Sequence, residues 1–369
     1  MKFFCSGTEL ANASNIVSKA VAVNKNIPIL EGINIKAIGK NVTLSAFNQE
    51  LYIEKTIPAD IYEEGEVIVN GKLFNDCANK ISGVEKVGIE KGFDNKITIS
   101  FNKSSMELNY FENSSFATFG NYSEDNSCYI KERDLKEVFE RAIFCVSPGA
   151  DTRMLLKSCC IDVYDGIMEA VCLDGFRLAI SQKPVKFEKG HVKCVVLGKI
   201  ISDIIKILTD SEDEVKIINE KKTIIFDLGH TKIKTTLIDS DVHNYRNNLP
   251  KTENYEIIVN KEELEGSLNR AAIISRESHN NSIIITVNNN TMNIYSENEK
   301  GKTSENLDCK CEGEEIKIGL NNRFLMDAIA RIKEDYVKII IEDSRKPIVV
   351  KRVDSDDYRC IILPIRIVA

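Results

Sequence analysis

Apolar residues fall along this chain in two periods, and the periods alternate. Downstream of Leu10, Leu135 and Leu264 they recur at helical spacing: Ala13 and Val17; Val138, Phe139 and Ala142; Leu268, Ala271 and Ala272. Steps of three and four put these residues on one helix face. A short strand-like run precedes each helix, beginning at Phe3, Tyr129 and Ile257. A second amphipathic segment follows in each case: N-G-K-L-F-N-D-C-A-N-K-I from Asn70, L-G-K-I-I-S-D-I-I-K-I-L from Leu197 and L-N-N-R-F-L-M-D-A-I-A-R-I from Leu320. Between the helices lie runs that alternate or stay apolar over four to seven residues: N-V-T-L-S-A-F, K-I-T-I-S-F, M-E-A-V-C-L, T-I-I-F-D-L, I-I-I-T-V and V-K-I-I-I-E. Rich in β-branched residues and bounded by turn formers, they read as strands.

The same order of elements occurs three times. The leucine anchors are 125 and 129 residues apart, and the basic residues Lys72, Lys199 and Arg323 near the start of each second helix are 127 and 124 apart. Each unit is large enough to hold its own core, unlike a solenoid repeat of about 20–50 residues. The predicted fold class is α+β: three repeated domains, each with two helices on antiparallel sheets. Polar stretches at Gly120–Ser127 and Asn247–Asn254 set the expected domains at 1–122, 127–250 and 254–369. Within the second repeat, V-C-L-D-G-F-R-L-A-I from Val171 puts Asp174-Gly175 between apolar runs, the signature of a two-residue hairpin turn.

Composition narrows the class. The chain has 369 residues, 43% hydrophobic and 28% charged, a globular balance. No apolar run reaches the roughly 18–20 residues that span a bilayer, and M-K-F-F-C-S-G-T-E-L does not read as a secretory signal. The 11 cysteines form no disulfide-like framework and are expected as reduced thiols. The four histidines are isolated from one another, so no metal site is expected.

Charge is unevenly placed. The net charge is −7, yet all three second helices are positive. Lys72 and Lys80 oppose Asp76; Lys199 and Lys206 oppose Asp203; Arg323, Arg331 and Lys333 oppose Asp327. The first helices are not positive: from Glu132 to Phe144 there are three basic and four acidic residues. One basic helix is an ordinary solvated face. Three equivalent ones suit a phosphate backbone.

Six short stretches carry a resemblance. They are M-K-F at the start, N-I-P-I-L (Asn26 to Leu30), D-G-F-R-L-A (Asp174 to Ala179), L-P-K (Leu249 to Lys251), N-R-A-A-I-I-S (Asn269 to Ser275) and L-P-I-R (Leu363 to Arg366). In this order, on a threefold repeat, the chain resembles the bacterial DNA polymerase III β subunits, the sliding clamps, over essentially its whole length. The resemblance implies a non-catalytic processivity factor without a cofactor, in the cytoplasm on the nucleoid. It implies a head-to-tail homodimeric ring around double-stranded DNA. The implied partners are the replicative polymerase catalytic subunit and the clamp loader, with other polymerases, ligase and mismatch-repair proteins binding through short peptides; no membrane is involved.

Residues carry over position by position. The implied DNA-facing set is Lys25, Lys72, Lys80, Arg153, Lys199, Lys206, Arg323 and Arg331. The implied dimer interface is Met106 and Leu108 against Ile273 and Ile274. The implied partner groove is Leu156, Leu173, Gly175, Phe176, Arg177, Leu178, His243, Asn247, Asn248, Ile361, Leu363, Pro364, Ile365 and Arg366. The chain departs from the family's usual residues at Leu173, Phe176, His243 and Asn247.

Helix packing agrees with a dimer. Six helices side by side at about 9 Å close a circle about 17 Å across, too small for duplex DNA. Twelve close one about 34 Å across and leave roughly 24 Å, enough for a duplex about 20 Å wide. The competing reading is an enzyme of unknown chemistry on the same scaffold. Against it, G-x-S-x-G, H-E-x-x-H, G-x-x-x-x-G-K-[ST] and G-x-G-x-x-G are all missing from the sequence.

Overall fold

A computed structural model describes residues 1–23, 27–111, 116–149, 153–240 and 252–367. The six expected helices are α1 (Gly7–Val17), α2 (Gly71–Lys80), α3 (Glu132–Ile143), α4 (Gly198–Ile205), α5 (Lys261–Ser275) and α6 (Asn322–Ile329). The anchors Leu10, Leu135 and Leu264 are fully buried, as the helical spacing requires. Asparagine side chains cap three of the helices. Asn70 accepts from Leu73 N–H at 3.0 Å, Asn260 from Glu263 N–H at 3.1 Å and Asn321 from Phe324 N–H at 3.1 Å. The six alternating runs all fall on strands, with Leu228 and Glu342 one residue past the end of theirs.

The described chain forms two compact units, and neither is a single repeat. The first holds Met1–Arg133, Val185–Val192 and Lys206–Leu237; the second holds Asp134–Pro184, Lys193–Ile205 and Ile238–Ala369. The reason is strand pairing across the repeats. In the first unit, 14 strands make one antiparallel ladder in which Thr231–Thr236 pairs with Leu51–Pro58. Its core includes Phe3, Leu10, Leu44, Phe74 and Phe226. In the second, a 12-stranded ladder joins Arg177–Pro184 to Tyr358–Ile362. Phe139, Leu268, Leu325 and Tyr358 fill its core.

These two junctions obey one rule. Leu51–Pro58 and Arg177–Pro184 are each the fourth strand of their repeat, while Thr231–Thr236 and Tyr358–Ile362 are each the last strand of the following repeat. The third repeat's fourth strand is Gly301–Lys310, and the first repeat's last strand is Ser104–Phe111. Gly301–Lys310 pairs along its length with Thr291–Asn298, but on its other side only Cys309 and Lys310 are paired. Ser104–Phe111 pairs with Lys96–Phe101, and on its other side only Tyr110 and Phe111 are paired. Among the described residues each unit therefore carries one long strand edge left free on these two strands.

The loop opening each fourth strand is also repeated. An Asx side chain folds it by accepting two backbone N–H bonds. Asn48 accepts from Glu50 and Leu51, Asp174 from Phe176 and Arg177, and Asn298 from Lys300 and Gly301, all at 2.7–3.2 Å. The hairpin expected at Asp174-Gly175 thus sits one residue on. Asp174 N–H donates to the Arg177 carbonyl at 3.2 Å, so Gly175 and Phe176 form the turn. Gly175 has φ +94°, which glycine adopts without strain.

Nine of the cysteines are buried and none is in a disulfide. Burial pushes the Cys145 and Cys172 thiols well up and Cys160 to about 12, so they pack as neutral apolar groups. No helix of the described residues is long and apolar enough to cross a membrane.

Candidate functional site

The hairpin Ile167–Leu173 and Arg177–Pro184 meets the chain's last strand in a shallow apolar surface. Leu178 lies across from Ile361, and Arg177 across from Ile362. Cys160, Val171, Leu178, Ile180, Val195, Ile340, Val349 and Ile361 form one buried cluster beneath it. Leu155, Leu173 and Ile238 pack against that cluster while keeping part of their surface open. Leu156 is buried nearby, 3.9 Å from where a Cβ on Gly175 would stand.

The segment after the last strand supplies the other wall. Leu363 N–H donates to the Phe176 carbonyl at 2.9 Å, and Leu363 stays 43% exposed. Pro364 has no N–H to offer, so the chain leaves the ladder there. Ile365 N–H then donates to the Gly319 carbonyl at 2.8 Å. Gly319 is required for this approach, because a Cβ there would stand 2.6 Å from the Ile365 oxygen. Ile365 is half-buried and Arg366 is exposed. The result is an apolar floor beside the exposed Leu363 and Arg366, suited to apolar side chains of an extended peptide.

Arg177, beside this surface, has its charge engaged within the protein. It is 8% exposed, and all three of its guanidinium nitrogens donate to protein. Nε bonds Asp174 at 3.0 Å, Nη1 bonds Asp327 at 2.7 Å and Nη2 bonds the Phe144 carbonyl at 3.1 Å. Its plane lies over Phe324 and Phe144, with centroids at 4.4 and 5.2 Å. Phe324 in turn stacks on Phe176, which remains 63% exposed at the turn. Arg177 thus fastens the turn to α6 and to the end of α3. Arg177→Met is expected to leave Asp174 and Asp327 without this cation and to destabilise the fold by on the order of 3 kcal/mol, read as a lower urea midpoint. An unchanged midpoint would refute this role.

The other expected site residues are placed as follows. Lys72 and Lys80 on α2, Lys199 on α4, Lys206 just beyond it and Arg153 are exposed. Arg323 is exposed on α6, 4.0 Å from Asp327. Arg331 is half-buried, its guanidinium 5.3 Å from the Phe144 ring centre. Met106 and Leu108 lie on the free edge strand of the first unit, the first half-buried and the second buried. Ile273 is 71% exposed on α5, and its half-buried neighbour Ile274 reaches within 3.7 Å of a Cβ built on Gly301, on the second unit's free edge. Lys25, His243, Asn247 and Asn248 lie outside the described residues.

Sequence reasoning missed Leu155, Ile238, Ile340 and Val349 in the groove floor. It also missed Phe324, Asp327 and Phe144 around Arg177. Only Leu155 carried a local signal, as the neighbour of Leu156. Among the described residues no cluster of His, Cys, Asp and Glu could hold a metal ion.

Comparison with known proteins gives a consistent match. Family models described as the DNA polymerase III beta subunit match in order: the N-terminal domain over residues 1–123, the central domain over 129–244 and the C-terminal domain over 246–366. The curated Beta sliding clamp of Staphylococcus epidermidis is 27% identical over 379 aligned positions, covering 99% of each chain. A solved structure from Eubacterium rectale, titled a putative DNA polymerase III beta subunit, is 28% identical with a TM-score of 0.91, covering 100% of both chains. The sliding clamp of Bacillus subtilis shares the fold at a TM-score of 0.93 and 24% identity, again over 100% of both chains.

Proposed function

The chain belongs to the DNA polymerase III beta subunit family, and from that membership we propose that two copies close head to tail into a ring that slides on duplex DNA and tethers its polymerase. It is a non-catalytic processivity factor built from three clamp domains, at 1–122, 127–250 and 254–369. The observation that carries the ring is the pair of free edges. Two of the three fourth strands already pair with the last strand of the next repeat. The leftover fourth strand and last strand would satisfy each other only between two copies.

The two junctions within the chain also give a register. Tyr52 faces Lys234 in one, and Leu178 faces Ile361 in the other. The repeated Asx loops make Lys302 the equivalent of Tyr52 and Leu178. Matching the hairpins Lys96–Phe101/Ser104–Phe111 and Thr223–Asp227/Thr231–Thr236 makes Glu107 the equivalent of Lys234. Glu107 would then face Lys302 of the second copy, an opposite-charge pair. Leu108 would face Gly301, where no side chain stands between it and Ile274.

Lysines and arginines of the helices facing the hole would meet phosphates rather than base edges, which gives sequence-independent, salt-sensitive binding that permits sliding. Lys25, Lys72, Lys80, Arg153, Lys199, Lys206, Arg323 and Arg331 are assigned there, the Arg331 guanidinium lying over the Phe144 ring. The apolar groove takes short peptides of the replicative polymerase, the clamp loader, other polymerases, ligase and mismatch-repair proteins, one at a time. His243, Asn247 and Asn248 are assigned to the same partner site by the family resemblance alone. The site of action is the nucleoid in the cytoplasm.

The test is topological. The protein is loaded by a clamp-loading ATPase onto nicked circular DNA, and the circle is then cut. A closed ring stays on the circle and runs off the new ends. Equal retention on cut and uncut DNA would sink the proposal, as would turnover of a small substrate in a pocket of one repeat.

A further inference from the structure

The basic residue at the start of the second helix recurs in all three repeats, as Lys72, Lys199 and Arg323. The third repeat adds something to it. Counting from the leucine anchors, the position of Arg276 is Ala22 in the first repeat and Ser147 in the second. Arg276 closes the end of α5 and, with Arg323 of α6, lines a cleft of about 440 Å³. Ala272, Ser275, Asn281, Asn322, Met326 and Asp327 line the rest.

Both arginines are exposed at the cleft. Arg276 makes no ion pair among the described residues, and the approach of Arg323 to Asp327 is a loose 4.0 Å. Asp327 is the only carboxylate in the lining, and its charge is already engaged by Arg177 at 2.7 Å. The cleft is therefore net positive in a chain whose total is −7. Its floor is polar and fixed. Asn322 is 1% exposed and donates from Nδ2 to the Leu268 carbonyl at 3.0 Å and to Ser275 Oγ at 3.2 Å. Its Oδ1 is buried without a partner among the described residues. That oxygen belongs to a residue of the cleft lining and still lacks a donor, a demand that an ordered water can meet.

We propose that this cleft seats one phosphodiester of the DNA backbone, held from two sides by Arg276 and Arg323. The assignment rests on the clamp reading, which turns α5 and α6 toward the duplex. Two planar guanidiniums on one anion give shared, charge-assisted hydrogen bonds. The third repeat then grips the backbone at a defined point, whereas the equivalent positions of the other two offer a single lysine each.

The shared phosphate makes the test specific. Equilibrium binding of a short duplex is measured against salt for the parent, Arg276→Gln, Arg323→Gln and the double variant. Each single variant is expected to bind about tenfold more weakly with the same salt slope, because the phosphate remains neutralised by the other arginine. The double variant is expected to lose about 0.9 from the slope, the value for one phosphate. An unchanged slope in the double variant, or a loss of about 1.8, meaning two separate phosphates, overturns the proposal. A second arm separates DNA from a free anion. Inorganic phosphate at the ionic strength of a chloride control is expected to leave the melting temperature of the parent unchanged. Stabilisation of the parent but not of the double variant would assign the cleft to a free anion instead. A parent that binds no duplex at any salt would count against the clamp reading itself, not the seat alone. Unchanged mass of the assembled protein in every variant separates a lost contact from a lost fold.

Discussion

Ile273→Asp turns the ring into single chains. Ile273 is 71% exposed on α5, so the substitution leaves the isolated chain's core untouched. In the proposed ring the new carboxylate would be buried among Met106, Leu108 and Ile274, with Lys302 already paired to Glu107. An uncompensated buried charge costs about 3–5 kcal/mol. A head-to-tail ring of two has two such junctions, so the cost is incurred twice, and each 1.4 kcal/mol is about tenfold in affinity. Sedimentation at micromolar protein should then report the chain mass of 41.5 kDa rather than twice that value. A persistent dimer would overturn the interface assignment. Charge reversal tests the register on the same strands. Glu107→Lys should weaken the dimer by placing like charges face to face, and adding Lys302→Glu should restore it. No rescue would mean that the register is shifted.

Leu363→Ala with Pro364→Ala should remove partner peptides from the groove and leave the dimer intact. Leu363 is the most exposed apolar side chain of the far wall, and its N–H fixes the wall to Phe176. Truncating it removes apolar surface worth about 1.5–3 kcal/mol on full burial. Replacing Pro364 frees the backbone to leave its course. Together they should weaken a polymerase-derived peptide by about 30- to 100-fold, measured by fluorescence anisotropy. Unchanged peptide affinity would place the groove elsewhere.

What the sequence shows clearly is what repeats locally. The helices after Leu10, Leu135 and Leu264 are legible because burying one face demands the 3.6 period. The strands are legible because Val and Ile fill them between turn residues. The turn after Leu173 lies one residue beyond where the Asp-Gly pair points: Asp174 looks like a turn residue, but its side chain acts from before the turn by accepting two N–H bonds. Arg177 was harder. Its guanidinium is spent on Asp174, Asp327 and the Phe144 carbonyl. Asp327 is 150 residues further along, and no local pattern announces such a partner. Ile340 and Val349 enter the groove floor for the same reason, since ladder neighbours far apart in sequence bring them there. The pairing rule between repeats is also invisible in one dimension, because an edge is defined by what fails to lie beside it.

The two bare strands have a consequence for the chain before it assembles. A newly made or dissociated copy carries an open edge of six residues in one unit and eight in the other, and open edges template further pairing. The first partner to arrive decides what is made. A second copy at the right angle closes both edges at once and stops growth. A copy held at a slightly different angle leaves one edge bare at each end, and pairing continues as an open filament. Substitutions that change only the angle between repeats, far from either edge, are therefore predicted to appear as aggregation during expression rather than as loss of folding.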